Sequence, residues 1–270
     1  KNLKVLSFDV ESSSDLKKTF CVSLYSENYQ KTFLVGNVNL PNVLNCQTEE
    51  ELLIKLQEEI INFDPDVITG WNIIDFDLLY LKNKFNESQI PFILGRDDTV
   101  CKITIEPNFF RTSKAVIHGR LVLDGIELIK NSFIKLDNYR LNTAAKKLLG
   151  KSKMIETTGA NKGKEIDLLY KTDSEKLVKY NLLDAELAYK IIIEANLLNL
   201  AIQRSILTGM QMDNVNASIA SFDFLYLEEA RKRKIVCPTG TFQEKPAPIK
   251  GGFVKDSVPG IYDNLIILDF

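Results

Sequence analysis

The chain is poor in the side chains that most enzymes use for acid–base or nucleophilic chemistry. Its 270 residues include a single histidine, His118, which lies beside Gly119 in a predicted turn and is given no role. The cysteines are scattered, without a Cys-x-x-Cys pair: Cys21, Cys46, Cys101 and Cys237. This spacing argues against a disulfide framework or a zinc site and favours reduced thiols in a cytoplasm. Carboxylates must therefore carry any hydrolytic chemistry.

Long apolar runs and excess positive charge are also lacking. No stretch approaches the roughly 20 apolar residues that a membrane span requires, and no charged-then-apolar leader opens the chain. The net charge of −2 is unusual for a DNA-binding protein. Contacts with a short single strand need fewer basic residues than duplex binding does, and bound cations would invert the field of an acidic site. The densest basic run, residues 231–234, is either a phosphate contact or a solvated helix end.

The pattern of apolar residues predicts a mixed α/β sheet flanked by helices. The hydrophobic content of 45% suffices for one core of about 200 residues and the beginning of another. Five strands are predicted, near residues 4–10, 19–26, 31–35, 66–69 and 119–123. Helices are predicted over residues 49–61, 76–86, 125–132, 141–149 and 173–199, the first beginning at a Thr48/Glu51 capping box. Residues 159–164 are polar and predict a loop.

The first candidate segment is the strand-like stretch 6–12. Apolar and polar residues alternate there, so Asp9 and Glu11 project from the same side of the strand. Two carboxylates this close repel each other unless a cation lies between them, and hard oxygen ligands are typical of Mg²⁺ or Mn²⁺ sites. Taken alone, the pair is more typical of ordinary acids than of a metal site, because Asp-x-Glu recurs at Asp173 and at Asp184.

The second segment, residues 67–77, runs from a short apolar strand through a glycine into a helix. Asp77 is expected in the first helical turn, beside the end of a strand, where α/β proteins place their sites. An acid at this position also simply stabilises a helix N-terminus. Asn72 is likewise typical of a turn with left-handed backbone.

The third segment is the long helix predicted after residue 172. The pattern from Thr172 to Glu175 has the form of a capping box, and apolar residues then form a buried stripe. Tyr180 and Asp184, four residues apart, lie on one helix face near that stripe. Of nine tyrosines, only Tyr180 has an aspartate four residues later. A buried acid is unfavourable unless it is paired or binds metal, so the pair indicates a metal site or a structural Tyr–Asp hydrogen bond.

Together, the segments place Asp-x-Glu on a first strand, Asn-x-x-x-Phe-Asp at a strand-to-helix turn and Tyr-x-x-x-Asp in a late helix. This order resembles the three exonuclease motifs of the DEDD superfamily, in its tyrosine-containing branch. Residues 119–125 resemble the corresponding strand of family B DNA polymerases, and residues 251–254, 259–262 and 268–270 resemble their passage from exonuclease to palm. The resemblance covers nearly the whole chain and implies a ribonuclease H-like fold with a mixed five-stranded sheet.

The resemblance implies a 3′→5′ proofreading exonuclease that releases mononucleotides from unpaired DNA 3′ ends. It assigns two Mg²⁺ or Mn²⁺ ions to four carboxylates, with the first of them bridging the ions: Asp9, Glu11, Asp77 and Asp184. Tyr180 would orient the attacking water and stay protonated, because an unperturbed tyrosine titrates near about pH 10. Ser12, Asn72 and Phe76 would contact the 3′ end. A further set that could contact a strand is Phe109, Phe110, Arg111 and Lys114.

The same resemblance divides the chain at about its two-hundredth residue. Residues 1–200 would form the exonuclease domain, and residues 201–270 would form linker helices and the start of the palm, with Asp269 as a polymerase metal ligand. Both ends of the chain are expected to be cut, so the fragment itself should not synthesise DNA. The implied partners are single-stranded 3′ ends, primer–template DNA and a sliding clamp reached through absent parts of the parent protein, at the bacterial nucleoid.

Two alternatives use the same residues differently. A DEDD-type exoribonuclease would carry the same carboxylates, since a contact to a 2′-hydroxyl is not legible from sequence. Residues 251–270 favour DNA. A catalytically silent nucleic-acid-binding module is the other alternative, and the presence of all five site residues argues against it.

Overall fold

The computed structural model describes residues 3–106, 113–151, 160–215, 218–238, 256, 258–264 and 266. The chain forms two compact units, Lys1–Glu228 and Glu229–Phe270. The division of the chain into an exonuclease domain and a palm remains a prediction. Across the described ranges, each helix is too short or too polar to cross a bilayer.

A six-stranded mixed sheet lies at the centre of the first unit. The strands are β1 (Val5–Ser12), β2 (Thr19–Ser26), β3 (Tyr29–Val35), β4 (Val43–Cys46), β5 (Val67–Gly70), β6 (Lys102–Thr104), β7 (Lys114–Val116) and β8 (Leu121–Asp124). The sheet has the order β4-β3-β2-β1-β5-β8, while β6 and β7 form a separate antiparallel pair. β1 pairs antiparallel with β2 and parallel with β5, so it is an inner strand.

The prediction of a mixed sheet flanked by helices is confirmed, but the number of strands was wrong. The five predicted strands correspond to β1, β2, β3, β5 and β8. The sixth, β4, has only four residues and just one of them, Cys46, is buried. It is held at the sheet edge by parallel pairing with β3, and a strand this short and exposed carries little sequence periodicity.

The described part of the chain forms eight α-helices. They are α1 (Glu49–Phe63), α2 (Leu79–Glu87), α3 (Gly125–Lys130), α4 (Leu141–Leu149), α5 (Ala160–Thr172), α6 (Ser174–Glu194), α7 (Leu197–Thr208) and α8 (Ser218–Lys232). A π-helical turn, Ile74–Leu78, precedes α2.

The helix caps partly match the predicted capping boxes. α1 begins after Thr48, whose hydroxyl accepts a hydrogen bond from the Glu51 backbone N–H at 3.1 Å, as predicted. The cap of α6 is Asp173, which accepts from the Lys176 backbone N–H at 3.0 Å. The prediction of Thr172 as the cap was wrong, because its hydroxyl donates to the Leu168 carbonyl of the preceding helix.

Two further helix predictions were wrong. The helix predicted over residues 173–199 is broken into α6 and α7 at Asn196, whose φ of 58° is left-handed. The loop predicted over residues 159–164 is helical from Ala160 onward, and Gly159 lies outside the described residues. Tertiary packing explains the second difference, because Ile166 and Leu169 of α5 are buried in a cluster with Phe20.

Apolar clusters cover both faces of the sheet. One cluster joins Leu6, Phe8 and Val10 of β1 to residues of α1 and α2. A second joins Val5 and Val67 to α3, α4, α6 and α7. Alternation along β1 therefore directs Ser7, Asp9 and Glu11 toward α6, so the acids of the first motif lie in a helix–sheet interface rather than on an open surface.

A buried arginine fixes the loop between α1 and β5. Arg120 has a side chain only 1% exposed, and its guanidinium bonds Asp64 at 2.7 Å. It also donates to the carbonyl oxygens of Leu94 at 2.7 Å and Pro65 at 2.6 Å. The planar, multi-donor guanidinium thus satisfies three acceptors around the start of β5.

Candidate active site

Three carboxylates from two elements converge at the interface of β1 and α6. Asp9, Glu11 and Asp184 each offer one carboxylate oxygen, and these oxygens all lie within 4.8 Å of one another. Glu11 is 6% exposed and Asp184 is 2% exposed. Buried like charges repel strongly, so the arrangement calls for a cation. Asp9 and Asp184, which are 175 positions apart in the sequence, therefore meet in space.

Asp77 lies beside this group, on the π-helical turn. It is 2% exposed, and its Oδ1 accepts a hydrogen bond from the Val10 backbone N–H at 2.9 Å. Burial, followed by the charge of Asp9, raises the pKa of Asp77 well above its ordinary value. Among the described residues, its oxygens are outside the three-carboxylate group, although its charge acts on the same site.

The turn that carries Asp77 is wider than predicted. The Leu78 backbone N–H bonds the Ile73 carbonyl at 2.8 Å, a five-residue spacing that belongs to a π-helix and not to the α-helical turn expected from sequence. Such wide turns are frequent at functional sites. The additional residue in the turn directs Asp77 toward β1, where its carboxylate accepts the hydrogen bond from the Val10 backbone N–H.

The backbone before that turn is tightly constrained. A Cβ on Gly70 would lie 2.7 Å from the Phe8 carbonyl oxygen, so only glycine fits against β1 there. Asn72 has a left-handed φ of 63°, which confirms its predicted role as a turn residue. The indole N–H of Trp71 donates to the Tyr139 carbonyl at 2.9 Å and fixes the turn to the segment before α4.

Tyr180 lies beneath the carboxylates on α6 and is 1% exposed. Burial raises the pKa of Tyr180, and the charges of Asp184 and Glu11 raise it further. Its hydroxyl is hydrogen-bonded to Asp184. Tyr180 therefore remains protonated at neutral pH, in agreement with the sequence-based expectation.

Lys162 is a site residue that the sequence did not indicate. Its Nζ lies 3.3 Å from Glu11 Oε1 and 5.3 Å from the centre of the Tyr180 ring. Burial lowers the pKa of Lys162, but the charges of Glu11, Asp9 and Asp184 outweigh this and raise it. The lysine belongs to the segment predicted as a loop, so no periodic pattern pointed to it.

Asn181 is the second residue that was missed. Its Nδ2 donates to Asp9 Oδ2 at 2.7 Å, and the residue is fully buried. A sequence signal did exist, because Asn181 is three residues before Asp184 and shares its helix face. A single asparagine in a long helix is common, and the signal is recognisable only once β1 is known to pack on that face.

The predicted substrate contacts differ in their exposure, and their contact with a 3′ end remains a prediction. Ser12 ends β1 and is 9% exposed, whereas Phe76 is 41% exposed. The Phe76 ring stacks on Tyr80, with centroids 6.3 Å apart and an interplanar angle of 13°. Phe76 is thus too exposed for a core residue.

Other residues singled out from sequence are placed elsewhere or not described. Lys114 bonds Asn214, and His118 pairs with Asp97 at 3.0 Å. Lys232 and Arg233 pair with Glu229, as expected for a solvated helix end. The residues that lie outside the described ranges are Phe109, Phe110, Arg111, Asp269 and residues 251–254.

The donor set of the site fits a hard divalent cation. Carboxylate oxygens are the ligands that Mg²⁺ and Mn²⁺ prefer, and the three-carboxylate group contains no sulfur or imidazole. The four cysteines are free, with Cys21, Cys46 and Cys101 buried. The geometry can therefore hold a metal between β1 and α6.

Comparison with known proteins agrees with this geometry. Residues 1–144 match the family described as DNA polymerase family B, exonuclease domain. DNA polymerase II of Escherichia coli K12 is 31% identical over 276 residues, which cover 99% of this chain and 35% of the relative. The DNA polymerase of Thermococcus kodakarensis is 28% identical over 282 residues, covering 99% of this chain and 16% of the relative.

The chain thus spans about a third or less of the length of these relatives. The matching family is one of metal-dependent 3′→5′ exonucleases, and the buried acidic group lies where the first and third motifs meet, with Asp77 of the second motif bonded to Val10 beside it. The fold of this chain, a mixed sheet with helices on both faces, is consistent with the ribonuclease H-like arrangement. The chain therefore belongs to the family B DNA polymerases, as a 3′→5′ exonuclease domain.

Proposed function

We propose that this domain removes mononucleotides from unpaired 3′ ends of DNA, using two Mg²⁺ or Mn²⁺ ions, as the proofreading part of a DNA polymerase. The convergence of Asp9, Glu11 and Asp184 within 4.8 Å carries the proposal. These three residues would hold the ions, and by the family resemblance Asp9 would be the ligand that both ions share. Asp77 would complete the ligand set. Bound divalent ions would activate water and stabilise the leaving 3′ oxygen.

Tyr180 has the hydrogen-bonding capacity to orient the attacking water. Its hydroxyl is bonded to Asp184, which as a carboxylate can only accept, so the tyrosine donates. The lone pairs of the hydroxyl oxygen then remain to accept a hydrogen bond from water. Tyr180 would hold the water without removing its proton, because the raised pKa excludes a tyrosinate near neutral pH.

Phe76 would supply a stacking surface for the terminal base. Aromatic stacking contributes roughly 1–3 kcal/mol per base and does not depend on which base is bound. An editing nuclease must accept any nucleotide, so a non-selective contact suits the task. Ser12 and Asn72 would provide polar contacts to the sugar or phosphate.

Residues 201–270 would continue as linker helices and the beginning of a polymerase palm, with Asp269 as a ligand of a polymerase metal. The synthetic activity, a sliding-clamp contact and a place at the bacterial nucleoid would belong to the parent protein.

The test is degradation of a 5′-labelled single-stranded DNA under single-turnover conditions with enzyme in excess, which removes any limit from weak binding. Asp9→Ala and Asp184→Ala should abolish cleavage, because either loss opens the ligand set. EDTA should stop the wild type and added Mn²⁺ should restore it. Asp75→Ala is the matched control, since Asp75 is an exposed acid two residues from Asp77.

Tyr180→Phe should slow the cleavage step while Mn²⁺ still binds. An unchanged rate would remove the water-orienting role from Tyr180. Cleavage that persists in EDTA would refute the metal assignment. If RNA of the same sequence were degraded as fast as DNA, the result would favour an exoribonuclease. If the wild type were well folded but did not cleave DNA, the result would favour a catalytically silent nucleic-acid-binding module.

A further inference from the structure

Asn181 stands in direct contact with the carboxylate that the proposed mechanism places between two ions. Its Nδ2 donates to Asp9 Oδ2 at 2.7 Å, across the interface between α6 and β1. The side chain is fully buried. It shares a helix face with Asp184, so one turn of α6 presents both a ligand and a donor to the site.

The amide orientation is fixed by chemistry. A carboxylate can only accept hydrogen bonds, so the NH₂ group of Asn181 must face Asp9 and its carbonyl oxygen must face away. That oxygen, Oδ1, is buried and has no hydrogen-bond partner among the described residues. An unsatisfied buried acceptor is unfavourable by about 1–3 kcal/mol. Leucine has nearly the same shape and would avoid this penalty, but it would lose the hydrogen bond to Asp9, so the contact with Asp9 is what the amide supplies at this position.

The side chains that donate hydrogen bonds to Glu11 and to Asp9 differ in charge. Glu11 is paired with a cation, Lys162, at 3.3 Å. Asp9 is held by a neutral amide, which fixes one oxygen without cancelling the carboxylate's charge. A cationic donor at the same place would repel incoming metal ions. A neutral donor orients Asp9 while leaving its affinity for cations intact.

We propose that Asn181 is a positioning residue that sets the orientation of Asp9 for metal binding. The inference rests on the proposed metal-dependent function. Groups that orient a metal ligand in this way typically change metal affinity by about 10- to 100-fold when they are substituted. Asn181 would act through Asp9 and would not itself touch the ions or the DNA.

The decisive measurement is Mn²⁺ binding by calorimetry to the whole 270-residue chain without DNA. Asn181→Leu, which keeps the shape and removes the donor, should weaken Mn²⁺ binding about tenfold or more. Val178→Ala is the control, because Val178 is 2% exposed on the same helix and belongs to an apolar cluster. This control should be destabilised by lost packing but should bind Mn²⁺ within about twofold of wild type.

Asn181→Ala provides a second, smaller variant should the leucine fail to fold, and it should weaken Mn²⁺ binding in the same direction. Wild-type affinity in either folded variant would overturn the positioning role. Equal weakening in Val178→Ala would also overturn it, by showing a general effect of loosening α6. A wild type that binds no Mn²⁺ would refute the metal site and the proposed function itself.

Activity gives an independent readout. The Mn²⁺ concentration that gives the half-maximal cleavage rate should rise for Asn181→Leu, whereas KM for DNA should stay unchanged. A higher KM with an unaltered metal requirement would contradict the inference, because it would place Asn181 in DNA binding.

Discussion

Replacing Asp77 by asparagine should stabilise the metal-free protein and destroy its activity. Asp77 is 2% exposed, and burial together with the charge of Asp9 raises its pKa. The carboxylate is therefore unfavourable in the empty site at neutral pH. Asparagine keeps an oxygen that can accept from the Val10 N–H, now bonded at 2.9 Å, and it replaces the second oxygen by a donor facing acids.

The size of the effect follows from removing one buried charge without creating a cavity. Substitutions that relieve such local strain commonly add about 0.5–2 kcal/mol of stability. For a domain of roughly 150–250 residues, each kcal/mol corresponds to about 2–4 °C in Tm. We therefore expect Tm in EDTA to rise by about 1–8 °C. Because the folded pKa exceeds the unfolded one, the wild type loses stability as pH rises, and the variant should lack this loss.

Thermal unfolding in EDTA and in excess Mn²⁺ provides the assay. At a free Mn²⁺ concentration of about 100 times Kd, binding adds about 2.7 kcal/mol to the wild type. Asp77→Asn should gain less stability from Mn²⁺ than the wild type does. The variant should therefore have the higher Tm in EDTA and the wild type the higher Tm in excess Mn²⁺. Asp75→Asn, an exposed acid in the same turn, should leave Tm nearly unchanged in both conditions. A variant less stable than wild type in EDTA, or an equal shift in Asp75→Asn, would refute the reasoning.

Three other predictions concern the frame of the site. Burial raises the pKa of Asp124 to about 6, so the folded chain binds more protons than the unfolded chain between about pH 4 and 6. Unfolding free energy should therefore fall across this range by about 1–3 kcal/mol relative to Asp124→Asn, and parallel pH profiles in urea titrations would contradict this. Gly70→Ala should lower stability by about 1–3 kcal/mol and reduce cleavage, because the Cβ of the alanine would clash with the Phe8 carbonyl oxygen. Wild-type stability and a wild-type cleavage rate would show that the turn shifts to accommodate the methyl group. Arg120→Met should lower stability by about 3–5 kcal/mol by leaving buried acceptors unpaired, measured by urea unfolding, and a loss below about 1 kcal/mol would mean that water replaces the guanidinium.

The parts of the fold that follow from local pattern were predictable. Alternation in β1 places Asp9 and Glu11 on one side of the strand, and the helical spacing of Tyr180 and Asp184 places both on one face. These two patterns are enough to predict an acidic site once the strand and helix pack together. Family resemblance supplied the pairing of the elements, which periodicity alone does not give.

The parts that depend on tertiary contacts were not predictable. Lys162 lies in a polar segment whose helix is stabilised by packing against Phe20, so its ion pair with Glu11 has no local signature. Strand β4 is too short for a periodic signal and exists through its pairing with β3. The break at Asn196 depends on one left-handed residue, which a helix-favouring sequence around it conceals.

The wide turn before α2 amounts to one inserted residue. In an α-helix each residue rotates by about 100° about the axis, so deleting one residue between Trp71 and Leu79 would swing the following side chains by that angle. Leu78 would then face β1, and an apolar side chain would stand where an acid now accepts from Val10. The presence of a carboxylate beside Val10 thus depends on the number of residues in this turn as much as on their identity. Deleting one residue other than an acid would move Asp77 out of this position although every carboxylate would still be present in the chain.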